Sequence, residues 1–506
     1  MSNLTPTPRK TMETVKAQAL ETERSLRVLL IQPPVVGEVF SYLPQVDHDS
    51  SGIGYKPPLG ILYLASTIQR FSSHRTHVID CIAQKRTIDS VVIEIDKYQP
   101  DLVGISAWTD FWYPAYTLGK KIKDSFPEIH LTYGGPHIGI YPKETLELPF
   151  VDSVVAGDGE IPLLRLCSLI ANSEGDPEFP GLHLKESGFR DSPDAFYVQE
   201  NLDDIPIPDR SFLPIKHYGS VLSKSDLVTT MITSRGCPYK CTFCKLNFQK
   251  TLHHSAERII EEFKRIEELG IREVEIYDDT FTWSKKRVMD ICRGLIDSNI
   301  KIEWSVRDRV SSADFEMYQN MYKAGCRRIH LGIESGTQKV IDRMRKKIKV
   351  EQAKTAVDYA KRSGMTVLTY FMFGNLDETL EDMRNTIDFS LELDSDYAEF
   401  SITIPYAGTE MYEEALSSGL ISYDYWREFA INPTPNFRPP ELIENHANID
   451  QMVSLRDESL RRFYFRPRYF YKQAKEIGSF GEFIRKAQMG LHLFSGLMNP
   501  RSTYIK

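Results

Sequence analysis

The sequence predicts an α/β fold: a doubly wound parallel sheet over residues 26–170, a second run of β/α units over 226–425, and a helical segment over 426–506. Three observations predict it. Short apolar runs alternate with amphipathic stretches twice along the chain, a rhythm that builds parallel sheets. A proline-punctuated stretch over 171–225 separates the two runs, and the rhythm stops after about residue 425.

Residues 1–25 are polar and read as a loose tail or short helix. Arg27 to Ile31 is a short apolar strand, closed by Pro33 and Pro34, which cannot continue a central ladder. Pro57-Pro-Leu-Gly60 opens an apolar helix through Ile68. The pattern then repeats as strand 76–79, helix 88–98, strand 102–105, helix 115–126, strand 130–133 and strand 154–155. Ligands of such sheets bind outside the carboxyl ends of the strands. There the chain places Ser106 and Thr109, the glycines Gly134 and Gly135, and the turn Gly157-Asp-Gly-Glu160. Glycines at strand ends admit a large flat ligand, and hydroxyls bond its rim, although any one of them can equally be an ordinary turn glycine.

The prolines at 177, 180, 193, 206, 208 and 214 mark an irregular connection. A strand over 227–232 begins the second run and ends in Thr233-Ser-Arg-Gly-Cys-Pro-Tyr-Lys-Cys-Thr-Phe-Cys-Lys245. Ser255 caps a helix whose stripe is Ile259, Ile260, Phe263, Ile266 and Leu269, with Glu261 and Arg265 as an exposed pair. Strands follow at 274–277, 302–306, 328–333, 366–373 and 399–404, with helices between them, giving six units. Their ends are polar: Asp278 and Asp279, Arg307 and Arg309, Glu334 and Ser335, Gly374 with Glu378.

Cys237, Cys241 and Cys244 are three of seven cysteines in 506 residues. Three thiolates on a strand-end loop suit an iron–sulfur cluster with one iron left open. A zinc loop is the competing reading; it needs a fourth ligand, for which His253 or His254 would have to fold back. The spacing, with Phe243 before the last cysteine, resembles the signature of the radical S-adenosylmethionine (SAM) enzymes. That resemblance implies a [4Fe-4S] cluster on the three cysteines, SAM chelated to the open iron, and a partial (β/α)6 TIM-like barrel. It also implies SAM contacts at Phe243, Asp278, Asp279, Arg309, Glu334 and Ser335. The residues supporting catalysis itself are not identified by it.

The strand-end loops of the first run, with Pro57-Pro-Leu-Gly60, resemble the Rossmann-like cobalamin-binding domain of one branch of these enzymes. By that resemblance Ser106, Thr109, Gly134, Gly135, Gly157 and Glu160 contact cobalamin. No Asp-x-His-x-x-Gly pattern is present, and His137 reads as a surface or hydrogen-bonding residue, so the cobalt is expected to lack a protein imidazole.

The formal charge is −8, with 41% apolar and 26% charged residues, which gives no global pull toward nucleic acid. No apolar run is long enough to span a membrane and no signal peptide is recognisable, so a cytoplasmic protein is expected. Cys81, Cys167, Cys292 and Cys326 are expected as small core residues. Arg461 to Tyr471 mixes arginine with aromatics, and 483–498 is amphipathic. A tail helix over the barrel is the plainer reading; a peripheral membrane contact is compatible with it, and similar tails in relatives hint at a bulky lipid-like or tetrapyrrole-like substrate.

The expected activity is methyl transfer from methylcobalamin to an unactivated carbon of a hydrophobic or natural-product-type small molecule, through a 5′-deoxyadenosyl radical. A flavodoxin or ferredoxin is the expected electron donor. The rivals are a ring-forming enzyme similar to the anaerobic magnesium-protoporphyrin ester cyclase, a noncatalytic cobalamin-binding module, and RNA modification by the same chemistry.

Overall fold

The computed structural model describes residues 9–35, 55–172, 178–220, 222–245, 251–435, 437 and 447–476, with isolated residues 487 and 490. The amphipathic stretch over 483–498 lies outside the described residues but for those two.

In the first unit, helices α1 (Arg9–Leu20), α2 (Leu59–Phe71), α3 (Ile88–Tyr98), α4 (Trp112–Ser125), α5 (Pro142–Glu147) and α6 (Glu160–Asn172) surround one sheet. Its strands are β1 (Arg27–Gln32), β2 (Arg75–Asp80), β3 (Leu102–Ser106), β4 (His130–Gly134), β5 (Ser153–Val155) and β6 (Leu182–Leu184). The order is β2-β1-β3-β4-β5-β6, parallel but for β6, which runs antiparallel to β5. The β6 strand falls inside the stretch read from sequence as an irregular connection. Its three residues carry too little periodicity to register.

Strand β1 shows why the sheet is doubly wound. Val28 and Leu30 join a core with α1, α2 and α6, whereas Leu29 and Ile31 join a core with α3 and α4 on the opposite face. A strand buried on both faces must be apolar throughout. Helix α1 is part of this unit: its Val15 and Ala19 are buried in the first of those cores.

The second sheet has the order β14-β13-β12-β11-β10-β7 and is wholly parallel. Its strands are β7 (Val228–Met231), β10 (Glu273–Ile276), β11 (Glu303–Arg309), β12 (Cys326–Glu334), β13 (Thr366–Phe373) and β14 (Tyr397–Ile402); a small antiparallel pair, β8 (Ser234–Arg235) and β9 (Leu252–His253), follows β7. The crossover helices are α7 (Ala256–Glu268), α8 (Lys285–Asp297), α9 (Phe315–Lys323), α10 (Gln338–Arg343), α11 (Val350–Arg362) and α12 (Leu380–Leu393). This is a half-barrel. Val274, Ile276, Val306, Ile329, Leu331, Val367 and Phe400 face the helices, and alternate residues face the concave side.

Helix α7 follows its sequence signals closely. Ser255 accepts from the Arg258 amide at 3.2 Å, and Arg265 bonds Glu261 at 3.0 Å. Leu269, expected in the apolar stripe, is 38% exposed because α7 ends one residue before it.

Helices α13 (Glu410–Ser417) and α14 (Tyr425–Ile431) leave the half-barrel and pack with the first unit. Met411, Tyr412, Trp426 and Phe429 share one core with Trp112, Leu118 and Tyr133. Helices α15 (Ile449–Tyr464) and α16 (Pro467–Glu476) close the described chain. Phe463 is fully buried near Phe400, and the Tyr464 hydroxyl donates to the Ala398 carbonyl at 2.7 Å. Phe463 and Tyr464 thus seal the edge strand β14, whereas Phe465, Phe470 and Tyr471 of the same tail are exposed.

Candidate functional site

The cysteine loop leaves β7 and is held at each step by the polar turn after β10. Asp278 accepts four hydrogen bonds, two per oxygen: the Thr233 and Ser234 amides at 2.6 and 3.0 Å, and their hydroxyls at 2.5 and 2.7 Å. Arg287 reaches the Thr233 carbonyl at 3.0 Å. Asp279 accepts the Gly236 amide at 3.0 Å, and the Thr280 hydroxyl lies 3.5 Å from the Cys237 sulfur. Asp278, expected at SAM, is saturated by the loop and 1% exposed. This geometry gives it a different task, because a carboxylate with both oxygens doubly occupied has no capacity left for a ligand. Asp279 keeps one oxygen uncommitted on the open side; burial and its neighbour Asp278 raise its carboxyl.

Farther along, the Thr242 amide donates to Met344 at 3.0 Å and the Thr242 carbonyl accepts from Met411 at 2.9 Å. Phe243 is half-buried and touches the cores of both units. Burial pushes the Cys244 thiol up to about 12, with further push from Cys241, Asp279 and Cys237. Three thiolates this near one another repel unless a cation lies among them. Among the described residues no three His, Cys, Asp or Glu side chains converge on a single ion. The histidines weighed as a fourth zinc ligand are committed elsewhere: His254 is 2% exposed and bonds Asp203 at 3.0 Å, and His253 bonds the His254 carbonyl at 3.1 Å.

Arg309 lies on the loop. Its guanidinium covers the Tyr239 ring at 3.7 Å, reaches the Cys241 sulfur at 3.5 Å and donates to the Lys346 carbonyl. Glu334 has a positive φ of 73° and pairs with Lys346 at 2.7 Å. A side chain on Gly332 would strike that carboxylate at 2.6 Å. Lys346 in turn sits 5.9 Å over the Phe243 ring. Sequence reasoning passed over Lys346; its place in a basic run, Arg343 to Lys349, reads as a solvated face. Ser335 points away from the loop: it is fully buried and bonds Thr386 of α12 at 3.0 Å.

At the carboxyl edge of the first sheet the glycines serve the backbone. A Cβ on Gly135 (φ 97°) would meet the Ala107 carbonyl at 2.8 Å, and one on Gly157 (φ 92°) the Tyr197 carbonyl at 2.1 Å. Neighbouring chain, rather than an admitted ligand, already explains both. Gly134 has ordinary contacts only. Thr109 is buried and bonds the His137 ring at 3.3 Å, leaving half-buried Ser106 and the 48% exposed Trp108 at the open rim. His137 is sealed in the core rather than lying at the surface. It stacks on Trp112 at 4.1 Å, its Nε2 has no partner, and burial lowers it to about 3.

Glu160, expected at cobalamin, grips the other unit instead. Arg235, two residues before Cys237, pairs with Glu160 at 2.5 Å and Asp158 at 2.7 Å and lies 5.5 Å over Tyr63. Arg210 anchors the connection to the half-barrel through Glu262 at 2.7 Å, while the Asp209 amide bonds Ser66 of α2 at 2.8 Å. Tyr406, after β14, donates to Asp110 after β3. The carboxyl edges of the two sheets therefore face each other, with the cysteine loop between them.

A half-barrel bearing an open three-cysteine loop, set against a doubly wound sheet, defines an iron–sulfur enzyme with a second cofactor unit. Family models agree: residues 231–390 match the radical SAM superfamily and residues 54–166 the B12 binding domain. An uncharacterised methyltransferase of Pyrococcus horikoshii is 34% identical over 92% of this chain and 98% of its own. Cytidylyl-2-hydroxyethylphosphonate methyltransferase of Streptomyces wedmorensis is 26% identical over 79% of this chain and 84% of its own. Among solved structures, the radical SAM methyltransferase TsrM of Kitasatospora setae, with cobalamin and a [4Fe-4S] cluster bound, superposes with a TM-score of 0.65 at 17% identity, covering 78% of each chain. The chain belongs to the cobalamin-dependent radical SAM methyltransferase family. No helix among the described residues is long and apolar enough to cross a membrane.

Proposed function

We propose that this protein transfers a methyl group to an unactivated carbon of a small molecule held between the two sheets. The observation that carries this reading is the Arg235 clamp, which ties the base of the cysteine loop to the turn Gly157-Asp-Gly-Glu160 at the carboxyl edge of the first sheet. When bound, the cluster and SAM supply a hydrogen-abstracting radical and cobalamin supplies the methyl group.

The chain's own residues then have definite tasks. Cys237, Cys241 and Cys244 hold the cluster, and Asp278 and Thr242 fix the loop that carries them. Asp279 offers its uncommitted oxygen to the SAM ammonium. Phe243 and the Lys346–Glu334 pair border the cluster on the half-barrel side. Ser106, Trp108 and Gly134 line the rim where cobalamin sits. The Tyr406–Asp110 contact closes the gap between the sheets and limits water near the reacting carbon. A flavodoxin-like or ferredoxin-like donor supplies electrons. The test is anaerobic incubation of the reconstituted enzyme with methyl-labelled SAM and a metabolite extract. Label in an extract product supports methyl transfer; 5′-deoxyadenosine with no labelled product points to ring formation or another radical outcome.

A further inference from the structure

The concave face of the half-barrel is built of charged and polar side chains in layers. Register places Glu275, Ser305 and Arg328 at one level, Arg307, His330, Leu368 and Tyr397 at the next, and Arg309, Gly332, Tyr370 and Glu399 above them. Arg309 touches Cys241, so Arg307 lies one pleat below the cysteine loop.

Most of the cations on this face are spent. Lys56 pairs with Glu275 at 3.1 Å. Arg328 pairs with Glu275 at 3.2 Å and Glu273 at 3.5 Å and donates to the Leu222 carbonyl at 2.6 Å. Lys346 has Glu334; Arg309 also lacks a carboxylate but is taken up by the cysteine loop, on the Tyr239 ring, the Cys241 sulfur and the Lys346 carbonyl. His330 is fixed between Arg328 and the Tyr370 hydroxyl, at 3.0 and 2.8 Å. Arg307 differs. It is half-buried below the loop, lies over the Tyr277 ring at 3.5 Å and hydrogen-bonds that tyrosine, and the carboxylates that act on it, Glu275 and Glu399, stand beyond salt-bridge distance among the described residues. Glu399, one level up on the edge strand, has no hydrogen-bond partner among them and is exposed, as is Tyr277 at 37%. Exposed groups on the inner face of a half-barrel mark open space there, and a half-buried guanidinium whose neighbouring carboxylates stand out of contact can take an anion directly.

We propose that this lumen binds a small polar substrate bearing an acid group (phosphate, phosphonate or carboxylate), held by Arg307 below the cluster, with a hydroxyl or amine of the same molecule facing Glu399. The proposal rests on the methyl-transfer reading and names its substrate class. A wholly apolar substrate would strip water from Arg307 and Glu399 and return nothing. Arg307 suits the task because a planar guanidinium bonds an acid group through two parallel N–H donors, and the Tyr277 ring fixes its plane.

The test uses the full chain reconstituted with cluster, cobalamin and SAM, titrated calorimetrically with inorganic phosphate, acetate and, as an apolar probe, decanol. The expected result is saturable binding of phosphate or acetate, the stronger of the two naming the acid, weakened about tenfold or more in Arg307→Gln and largely kept in Arg307→Lys. Reductive cleavage of SAM to 5′-deoxyadenosine should persist in Arg307→Gln. Three results overturn the proposal: neither acid binds the wild-type protein; Arg307→Gln binds them equally well; or Arg307→Gln no longer cleaves SAM while Arg307→Lys does, which would assign Arg307 to the SAM carboxylate. Wild-type protein that cleaves no SAM would instead bring down the parent reading, and leaves the anion titration to be judged on its own.

Discussion

Asp278 organises the cysteine loop from outside it. Its two oxygens hold two amides and two hydroxyls of Thr233 and Ser234, and the first cysteine follows three residues later. Asp278→Asn replaces one acceptor oxygen with a donor facing donors, which costs about 1–3 kcal/mol. The variant is expected to melt lower and to take up less iron on reconstitution than wild type; equal iron content would show that the loop does not depend on this carboxylate. Alanine at Cys237, Cys241 or Cys244 is expected to abolish SAM cleavage and leave cobalamin binding intact. Glu378 offers a pH test. One of its oxygens accepts the Gly374 and Asn375 amides at 2.9 Å each, the other has no partner, and burial raises the carboxyl to about 7 from 4.5. Because the folded value lies above the unfolded one, ionisation opposes folding. Stability is full below the unfolded value, falls as pH rises toward 7 and then levels, by roughly 3 kcal/mol in all. Glu378→Gln keeps the acceptor and should flatten that part of the melting-temperature profile between pH 5 and 8.

At the scale of elements, the connection between the sheets acts as a set of clamps. Arg235 reaches Asp158 and Glu160, Arg210 reaches Glu262, and Tyr406 reaches Asp110. Removing one partner of a buried ion cluster costs about 3–5 kcal/mol, because the remaining charges stay buried without compensation. Arg235→Met should therefore lower the melting temperature and speed proteolytic cutting in the connection over 178–225; an unchanged digestion pattern would mean the clamp does not hold the units together. The elements that could be read from sequence were those with local signals. Val28 to Ile31, Ile259 to Ile266 and the cysteine spacing declare themselves within a few residues. The clamps do not, since Arg235 and Glu160 lie 75 residues apart and only the fold brings them together. The same holds for Gly157, whose glycine is demanded by Tyr197, and for β6, which is fixed by pairing with β5. The family resemblance implies a SAM contact at Asp278; what it bonds depends on the loop that follows the neighbouring strand.

For the whole molecule, the two sheets face each other through their carboxyl edges, and α13 and α14 weld the end of the half-barrel chain into the first unit's core. The proposed methyl transfer needs this arrangement, because a carbon made reactive at one cofactor would have to meet a methyl group from the other within one water-poor space. The most direct measurement is mass spectrometry of the cobalamin and nucleoside fractions after the reduced, reconstituted full chain is incubated with methyl-deuterated SAM. The account predicts a deuterated methyl group on cobalamin and 5′-deoxyadenosine from the same preparation. Cobalamin that stays unlabelled while 5′-deoxyadenosine accumulates would contradict it.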